Sequence, residues 1–317
     1  MACPEGQAGK CAIIGRAGVG FTVLLSPTGP WHHDCRPKPR WSPRLLLPLI
    51  AVACYVIGAV WLATATYQHR SEPFSAQGRG GRIAAVAITG VGVLIHAIAL
   101  LQERRMAPDA ALSLGDTLAL VSLTIAITAI VMAVKPGRRG MAALLLLIAA
   151  VLEAAFSEGA RKFSIGQPGW ELAFHVAMAT TAFAFLTIGM VLAIAQVVVD
   201  RRLRSRQPLG LLKILTPLES LESGCFQSIF AGFAVLTLAL VSGAFFVQDL
   251  FAQHLIHKVV LALIAWIVFG VLLLGRLKFG WRGRKALRWT FAGYALLGLS
   301  YFGSKLILEN ILGKHWG

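Results

Sequence analysis

Eight long apolar segments, separated by short loops rich in Lys and Arg, dominate this chain of 317 residues. Each segment is long enough, or nearly so, to cross the roughly 30 Å hydrocarbon layer of a bilayer as a helix. Hydrophobic residues make up 57% of the chain, charged residues 14%, and the mean hydropathy is +0.71. This is more apolar surface than a soluble core of this length can hide. The sequence therefore predicts a membrane protein.

The apolar segments are predicted to be helices, because the chain lacks the long alternating patterns of membrane strands. The predicted fold class is all-α, a polytopic transmembrane helix bundle of about eight spans. The predicted spans are Leu45–Thr66, Ile83–Leu101, Leu112–Val134, Met141–Phe156, Leu172–Val199, Phe226–Val247, His257–Gly275 and Leu287–Leu308.

The distribution of basic residues predicts the orientation of the bundle. The loops after spans one, three, five and seven hold 17 Lys and Arg, whereas the other three loops hold 4. Because basic loops stay in the cytoplasm, both ends of the helical body should lie outside. The dense group from Arg282 to Arg288 is then a cytoplasmic anchor between the last two helices, and a nucleotide or lipid-headgroup site is the alternative. The net charge of +16 does not indicate nucleic-acid binding, because no basic stripe with interleaved aromatic residues is present.

The chain divides into one membrane domain, residues 44–312, with a segment at either end. Residues 1–43 are basic and rich in Pro, and we interpret them as a disordered tail or as an over-extended start. Residues 313–317 form a short C-terminal tail. Within the domain, the leucine spacing of the stretch from Leu209 to Phe226 predicts an amphipathic helix lying on the inner membrane surface.

Three histidines lie in or at the ends of predicted spans: His96, His175 and His257. With the predicted orientation and a rise of 1.5 Å per residue, all three fall within about 8 Å of the outer edge of the hydrocarbon. Ionisable groups in a span usually face the bundle interior or a cavity, although a single membrane histidine is often only a hydrogen-bonding partner between helices. A set of three at one depth favours a shared site.

Imidazole is a common ligand of metals and of haem iron, so this set indicates non-covalent haem b or a transition metal held near the outer face. No span carries the two histidines of the usual four-helix cytochrome b, and no CxxCH site for covalent haem is present. Glu153, toward the outer end of span four, can pair with a histidine or with Lys258, or can reach water as an interfacial carboxylate.

Several stretches resemble the cytochrome c assembly protein family, and within it the short, eight-helix bacterial inner-membrane branch of the YpjD and HemX type. They are the segments around His96 ("IHAIALL") and His175 ("FHVAMATTAFAFLTI"), the runs "LTPLESLESGCF" and "LALVSGAFF", and the long segment from "HKVVLALIAW" to "YFGSK". The resemblance covers roughly residues 45 to 312.

The resemblance implies a multi-pass inner-membrane protein that binds or handles haem during cytochrome c assembly. According to this resemblance, His96, His175 and His257 match the pattern of the branch. Two of the three would be axial ligands of the haem iron, and the resemblance does not say which two. The larger members carry a tryptophan-rich outer loop that presents haem to the apocytochrome, and this sequence has no such run. The implied partners are membrane lipid and, in addition, other cytochrome c maturation proteins or an apocytochrome.

A second class of function stays open: a membrane permease, or an accessory subunit of an ion transporter without haem, in which the histidines and Glu153 line a polar path. Discontinuous spans would favour it, and Gly90, Gly92 and Gly189 point weakly that way. An enzyme is not expected, because the sequence has no nucleophile with an adjacent base, no phosphate-binding glycine loop and no paired carboxylates.

Overall fold

The computed structural model describes residues 43–71, 77–106, 114–135, 137–156, 170–208, 210–215, 217–246 and 253–300. These residues form eight α-helices and one short 3-10 helix, Gly210–Leu215, and they contain no strand. The helices are α1 (Pro43–Ser71), α2 (Gln77–Met106), α3 (Leu114–Val134), α4 (Arg139–Phe156), α5 (Trp170–Arg204), α6 (Leu218–Phe246), α7 (Gln253–Phe279) and α8 (Gly283–Gly298). The predicted all-α bundle is confirmed.

Six of these helices, α1, α2, α3, α5, α6 and α7, are long and apolar enough to cross a membrane. Helix α4 has 18 residues, and the predicted eighth span runs from α8 into residues outside the described part. The predicted tails at residues 1–43 and 313–317 also lie outside it, apart from Pro43. Large apolar side chains such as Leu94, Val151 and Phe230 are more than 60% exposed, as expected for helix faces that contact lipid.

The helices pack in two groups that meet in the middle of the bundle. In the first group, α1 packs against α2 and α4, and α3 packs against α4. In the second group, α5 packs along α6 and against α8, and α7 packs against α8 and α6. Contacts between α3 and α5 join the two groups. Helix α5 is the most buried of the six candidate spans, which makes it the central helix.

Buried and half-buried side chains hydrogen-bond across helix boundaries in both groups. The Ser122 hydroxyl on α3 donates to the carbonyl of Ala149 on α4 at 2.9 Å. The Trp266 indole N–H on α7 donates to the Thr237 hydroxyl on α6, also at 2.9 Å. Lipid offers no alternative partner to such groups, so each bond favours one rotational setting of the two helices.

The predicted amphipathic helix between Leu209 and Phe226 is wrong. The stretch instead forms the 3-10 helix and the first turns of α6, with the break at Pro217. A proline disfavours helical backbone at the residue before it but fits at a helix start, and the Pro217 carbonyl accepts from the N–H groups of Ser220 and Leu221. Helix α6 therefore begins eight residues before the predicted span.

The 3-10 helix lies against the start of α4 at Gly140. A Cβ atom built on Gly140 would fall 2.1 Å from the carbonyl oxygen of Ile214. Because that neighbour is backbone, it cannot move aside as a flexible side chain would. Only glycine allows this close approach.

We expect Gly140→Ala to lower the free energy of unfolding by about 1–3 kcal/mol, because the methyl group must displace the 3-10 helix. The matched control is Gly90→Ala in α2, where a Cβ would meet no atom within 4 Å and where better helix propensity should add up to about 1 kcal/mol. Unfolding in mixed detergent micelles, followed by circular dichroism, measures both. Equal effects of the two substitutions would contradict the close contact.

Candidate functional site

His96 lies in a buried polar network that joins three helices of the first group. Its Nδ1 atom is 3.0 Å from the hydroxyl of Tyr55 on α1, and its Nε2 atom is 3.0 Å from Oε2 of Glu153 on α4. Tyr55 and His96 are fully buried and Glu153 is 5% exposed. We call these three residues the His96 network.

The imidazole and carboxylate of the His96 network are close but not well aligned. Although 3.0 Å apart, His96 Nε2 and Glu153 Oε2 make no hydrogen bond within the described part of the chain. An ionised carboxylate can only accept a hydrogen bond, so the ring nitrogen that faces Glu153, Nε2, is the one that carries the proton. In a neutral ring Nδ1 then has a lone pair, which accepts from the Tyr55 hydroxyl. The contact is therefore an electrostatic pair. The His96 ring or the Glu153 carboxylate would have to rotate slightly to form a hydrogen bond.

The sequence left three interpretations open for Glu153, and the structure pairs it with a histidine. Its burial excludes the role of an interfacial carboxylate that reaches water. Tyr55 was missed, although a tyrosine inside an apolar span is itself a signal, since its hydroxyl needs a partner there. Its ring also packs beside Gly92 of α2, where a Cβ atom would lie 3.2 Å from the tyrosine ring.

His175 lies near the start of α5 in a different environment, half-buried against the end of α6. Its Nδ1 atom is 3.2 Å from the hydroxyl oxygen of Ser242, and that hydroxyl donates to the carbonyl of Ala239 at 2.9 Å. Since the Ser242 proton is used in this way, the hydroxyl oxygen accepts and His175 Nδ1 carries the ring proton. Nε2 then keeps its lone pair.

The orientation of the His175 ring is set by a glycine as well as by Ser242. A Cβ atom on Gly243 would fall 2.9 Å from His175 Cε1 and 3.2 Å from Nδ1, so the ring edge packs directly on the α6 backbone. The contacts with Ser242 and Gly243 hold the Nδ1 edge of the ring against α6. Nε2 is therefore the ring nitrogen of His175 that is left for a ligand.

His257 lies in the first turns of α7, and its side chain is outside the described residues. Its backbone is at the same end of the second helix group as His175, because α5 and α7 both begin there and α6 packs against both. Among described residues, no group of three or more His, Cys, Asp and Glu side chains is placed to hold a metal ion.

The whole membrane domain matches one protein family. The family model described as "Cytochrome C assembly protein" covers residues 48–312. The chain belongs to the cytochrome c assembly protein family. With its six apolar candidate spans and its similarity to a protein named for the inner membrane of Escherichia coli, this member is a multi-pass protein of the bacterial inner membrane.

Several curated proteins are similar to this family member. The inner membrane protein YpjD of Escherichia coli K12 is 31% identical over 275 residues, which is 84% of this chain and 100% of the relative. An uncharacterized 28.8 kDa protein of Azospirillum brasilense is 31% identical over 47% of this chain and 55% of its own length. The cytochrome c biogenesis protein CcsA of Synechococcus sp. CC9311 is 30% identical over 46% of this chain and 57% of its own length. No solved structure matches the chain significantly.

The two predicted histidines whose side chains are described, His96 and His175, differ in how they fit a haem iron. An axial ligand needs one ring nitrogen with a free lone pair facing the iron. Both nitrogens of His96 face protein partners, Tyr55 and Glu153, so His96 does not fit in this arrangement. His175 fits, because its other nitrogen is held by a hydrogen bond of the kind that orients metal-binding histidines.

We expect His96→Ala to lower the free energy of unfolding by about 3–5 kcal/mol, because it leaves the Glu153 carboxylate buried without its partner. Tyr55→Phe, which removes one hydrogen bond, should cost about 1 kcal/mol, and half-buried His175→Ala no more than that. Chemical unfolding in mixed micelles measures all three. If His96→Ala were as mild as His175→Ala, the His96 network would not be a structural element.

Proposed function

We propose that this protein binds non-covalent haem b and handles it during cytochrome c assembly, with His175 and His257 as the axial ligands. The observation that supports this pair best is the His175 ring, whose Nδ1 atom is engaged by Ser242, so that among the described contacts Nε2 is the nitrogen left for a ligand. When bound, the haem would supply an iron that imidazole nitrogens can ligate, and His175 and His257 would hold it.

The helix packing is consistent with ligands from α5 and α7. Helix α6 contacts both, and its end carries Ser242 and Gly243, the two residues that orient His175. A haem held by His175 and His257 would therefore lie beside the end of α6, at the end of the bundle that the distribution of basic loops predicts to be the outer one.

Each residue in this proposal has a defined role. His175 supplies a nitrogen, Ser242 fixes its tautomer, and Gly243 keeps the ring against α6. His96, which joins α1, α2 and α4 through Tyr55 and Glu153, is assigned to the scaffold instead. No catalytic step is assigned to any residue. The chain has no tryptophan-rich loop, so we propose binding and handling of haem rather than its presentation to an apocytochrome.

The full chain, purified in detergent from cells with ample haem, should show the absorption bands of low-spin haem. We expect His175→Ala and His257→Ala each to remove most of this spectrum, because each deletes one axial ligand. Protein that is well folded and colourless would contradict the proposed function, and a full spectrum in His175→Ala would contradict the ligand assignment.

Ser242→Ala tests the orientation of His175 separately. Loss of a hydrogen bond to the second ring nitrogen should weaken haem affinity about tenfold or more. The matched control is Ser228→Ala, which removes another buried serine hydroxyl from α6 away from His175. Haem titration of both variants measures the difference, and equal affinities would show that Ser242 has no part in binding.

The His96 network favours a second candidate, a permease or an accessory subunit of an ion transporter, because a buried imidazole and carboxylate can take part in ion or proton movement. Against it, α2 and α5 run unbroken through Gly90, Gly92 and Gly189, so these glycines do not mark discontinuous spans. A flux assay in vesicles distinguishes the two: Glu153→Gln should leave haem content unchanged in either case, but should alter flux only if the protein belongs to a transporter.

A further inference from the structure

Two arginines converge on one carboxylate at the end of the bundle opposite His175. Glu222, in the first turns of α6, has its Oε1 atom in contact with Nη2 of Arg276 from the last turn of α7 and 3.0 Å from Nε of Arg282 in the turn before α8. Glu222 is 15% exposed and Arg276 is 25% exposed. One carboxylate cannot neutralise two guanidinium groups, so this trio keeps a net positive charge.

Both guanidinium groups have N–H donors that do not face Glu222. Arg276 Nη1 is buried and has no hydrogen-bond partner in the described part of the chain, while Arg282 is 67% exposed and its Nε atom faces Glu222 in an ion pair without an aligned hydrogen bond. A guanidinium carries five N–H donors in a rigid plane, a geometry that matches the oxygens of phosphate. A cytoplasmic anchor needs only positive charge. Guanidinium N–H donors that point to one place and have no acceptor indicate a bound ligand instead.

Further positive charge and two indole rings lie close to the trio along the chain. Lys278, Arg284, Lys285 and Arg288 add four more cations, and the segment from Arg276 to Arg288 contains no acidic residue. Lys285 Nζ lies 4.0 Å from the centre of the Trp281 ring, which in turn packs against Trp289 with ring centres 5.4 Å apart. Glu219 is the other carboxylate on this part of α6, one turn before Glu222. Cations beside tryptophans at the edge of the hydrocarbon suit the headgroup layer.

We propose that Arg276, Arg282 and Lys285 form a binding site for a phosphate-bearing anion. Glu222 holds the two guanidinium groups together in a fixed orientation, Arg276 supplies the inner donor, and Arg282 and Lys285 close over the phosphate from the exposed side. The phosphate can belong to an anionic lipid headgroup or to a soluble anion such as pyrophosphate. This site is independent of haem and of the histidines.

Native mass spectrometry of the full chain in detergent tests the site, with phosphatidylglycerol as the probe and phosphatidylethanolamine as the neutral lipid for comparison. We expect tighter binding of phosphatidylglycerol, and binding about 25-fold weaker in the double variant Arg282→Gln/Lys285→Gln, from about fivefold for each cation lost. The matched control is Arg201→Gln at the end of α5, an exposed position on the same side of the bundle, where charge screening should limit the change to less than about twofold.

A second arm separates the two sources of phosphate. If pyrophosphate binds the lipid-free protein, and the double variant but not Arg201→Gln loses it, the site exists and its ligand is soluble. If only phosphatidylglycerol behaves in this way, the ligand is a headgroup. A loss of about fivefold in Arg201→Gln, as large as that expected for each cation of the double variant, or no loss in either variant, would overturn the proposal, because binding would then follow total charge and not this site.

Discussion

The hydrocarbon layer forces every polar group inside this bundle to find a partner within the protein, and the His96–Glu153 pair is where that constraint is strongest. An imidazole and a carboxylate that are both buried have a high cost of desolvation, which only their mutual attraction and nearby dipoles offset. Because Tyr55, His96 and Glu153 come from α1, α2 and α4, their pairing selects one rotation for each of three helices. The same logic applies more weakly to the bond between Ser122 and Ala149.

Two histidines of this chain show how environment divides one residue type between two roles. His96 is enclosed, and both of its nitrogens face protein groups. His175 is half-buried, and the series from the Ala239 carbonyl through the Ser242 hydroxyl to His175 Nδ1 assigns the ring proton to one side. The first arrangement stabilises a fold, whereas the second leaves a nitrogen available to a ligand. This division separates the family's haem chemistry, as we propose it, from the interior that supports it.

Hydropathy was sufficient to predict eight helices and the fold class, because lipid imposes a simple rule of length and apolar composition. The predicted spans of α3 and α4 end within two residues of the helices, whereas those of α2 and α7 stop four to six residues short at both ends. Hydropathy was not sufficient to rank the histidines. Depth along a helix follows from residue counting, but the direction in which a side chain points depends on how neighbouring helices rotate, and near-uniform apolar segments carry little information about that. The early start of α6 at Leu218 was missed for a related reason: Glu219 and Glu222 look like surface residues in sequence, yet Glu222 is covered by Arg276 and Arg282.

The contact between Gly140 and Ile214 has a mechanical consequence. Helix α4 is a stiff rod of 18 residues, about 27 Å long at 1.5 Å per residue. Its first turn is seated on the connection between α5 and α6, and its last turn carries Glu153. Because a helix is stiff along its axis, the seat of α4 on that connection and the Glu153 carboxylate beside His96 keep one fixed spacing at opposite ends of the rod.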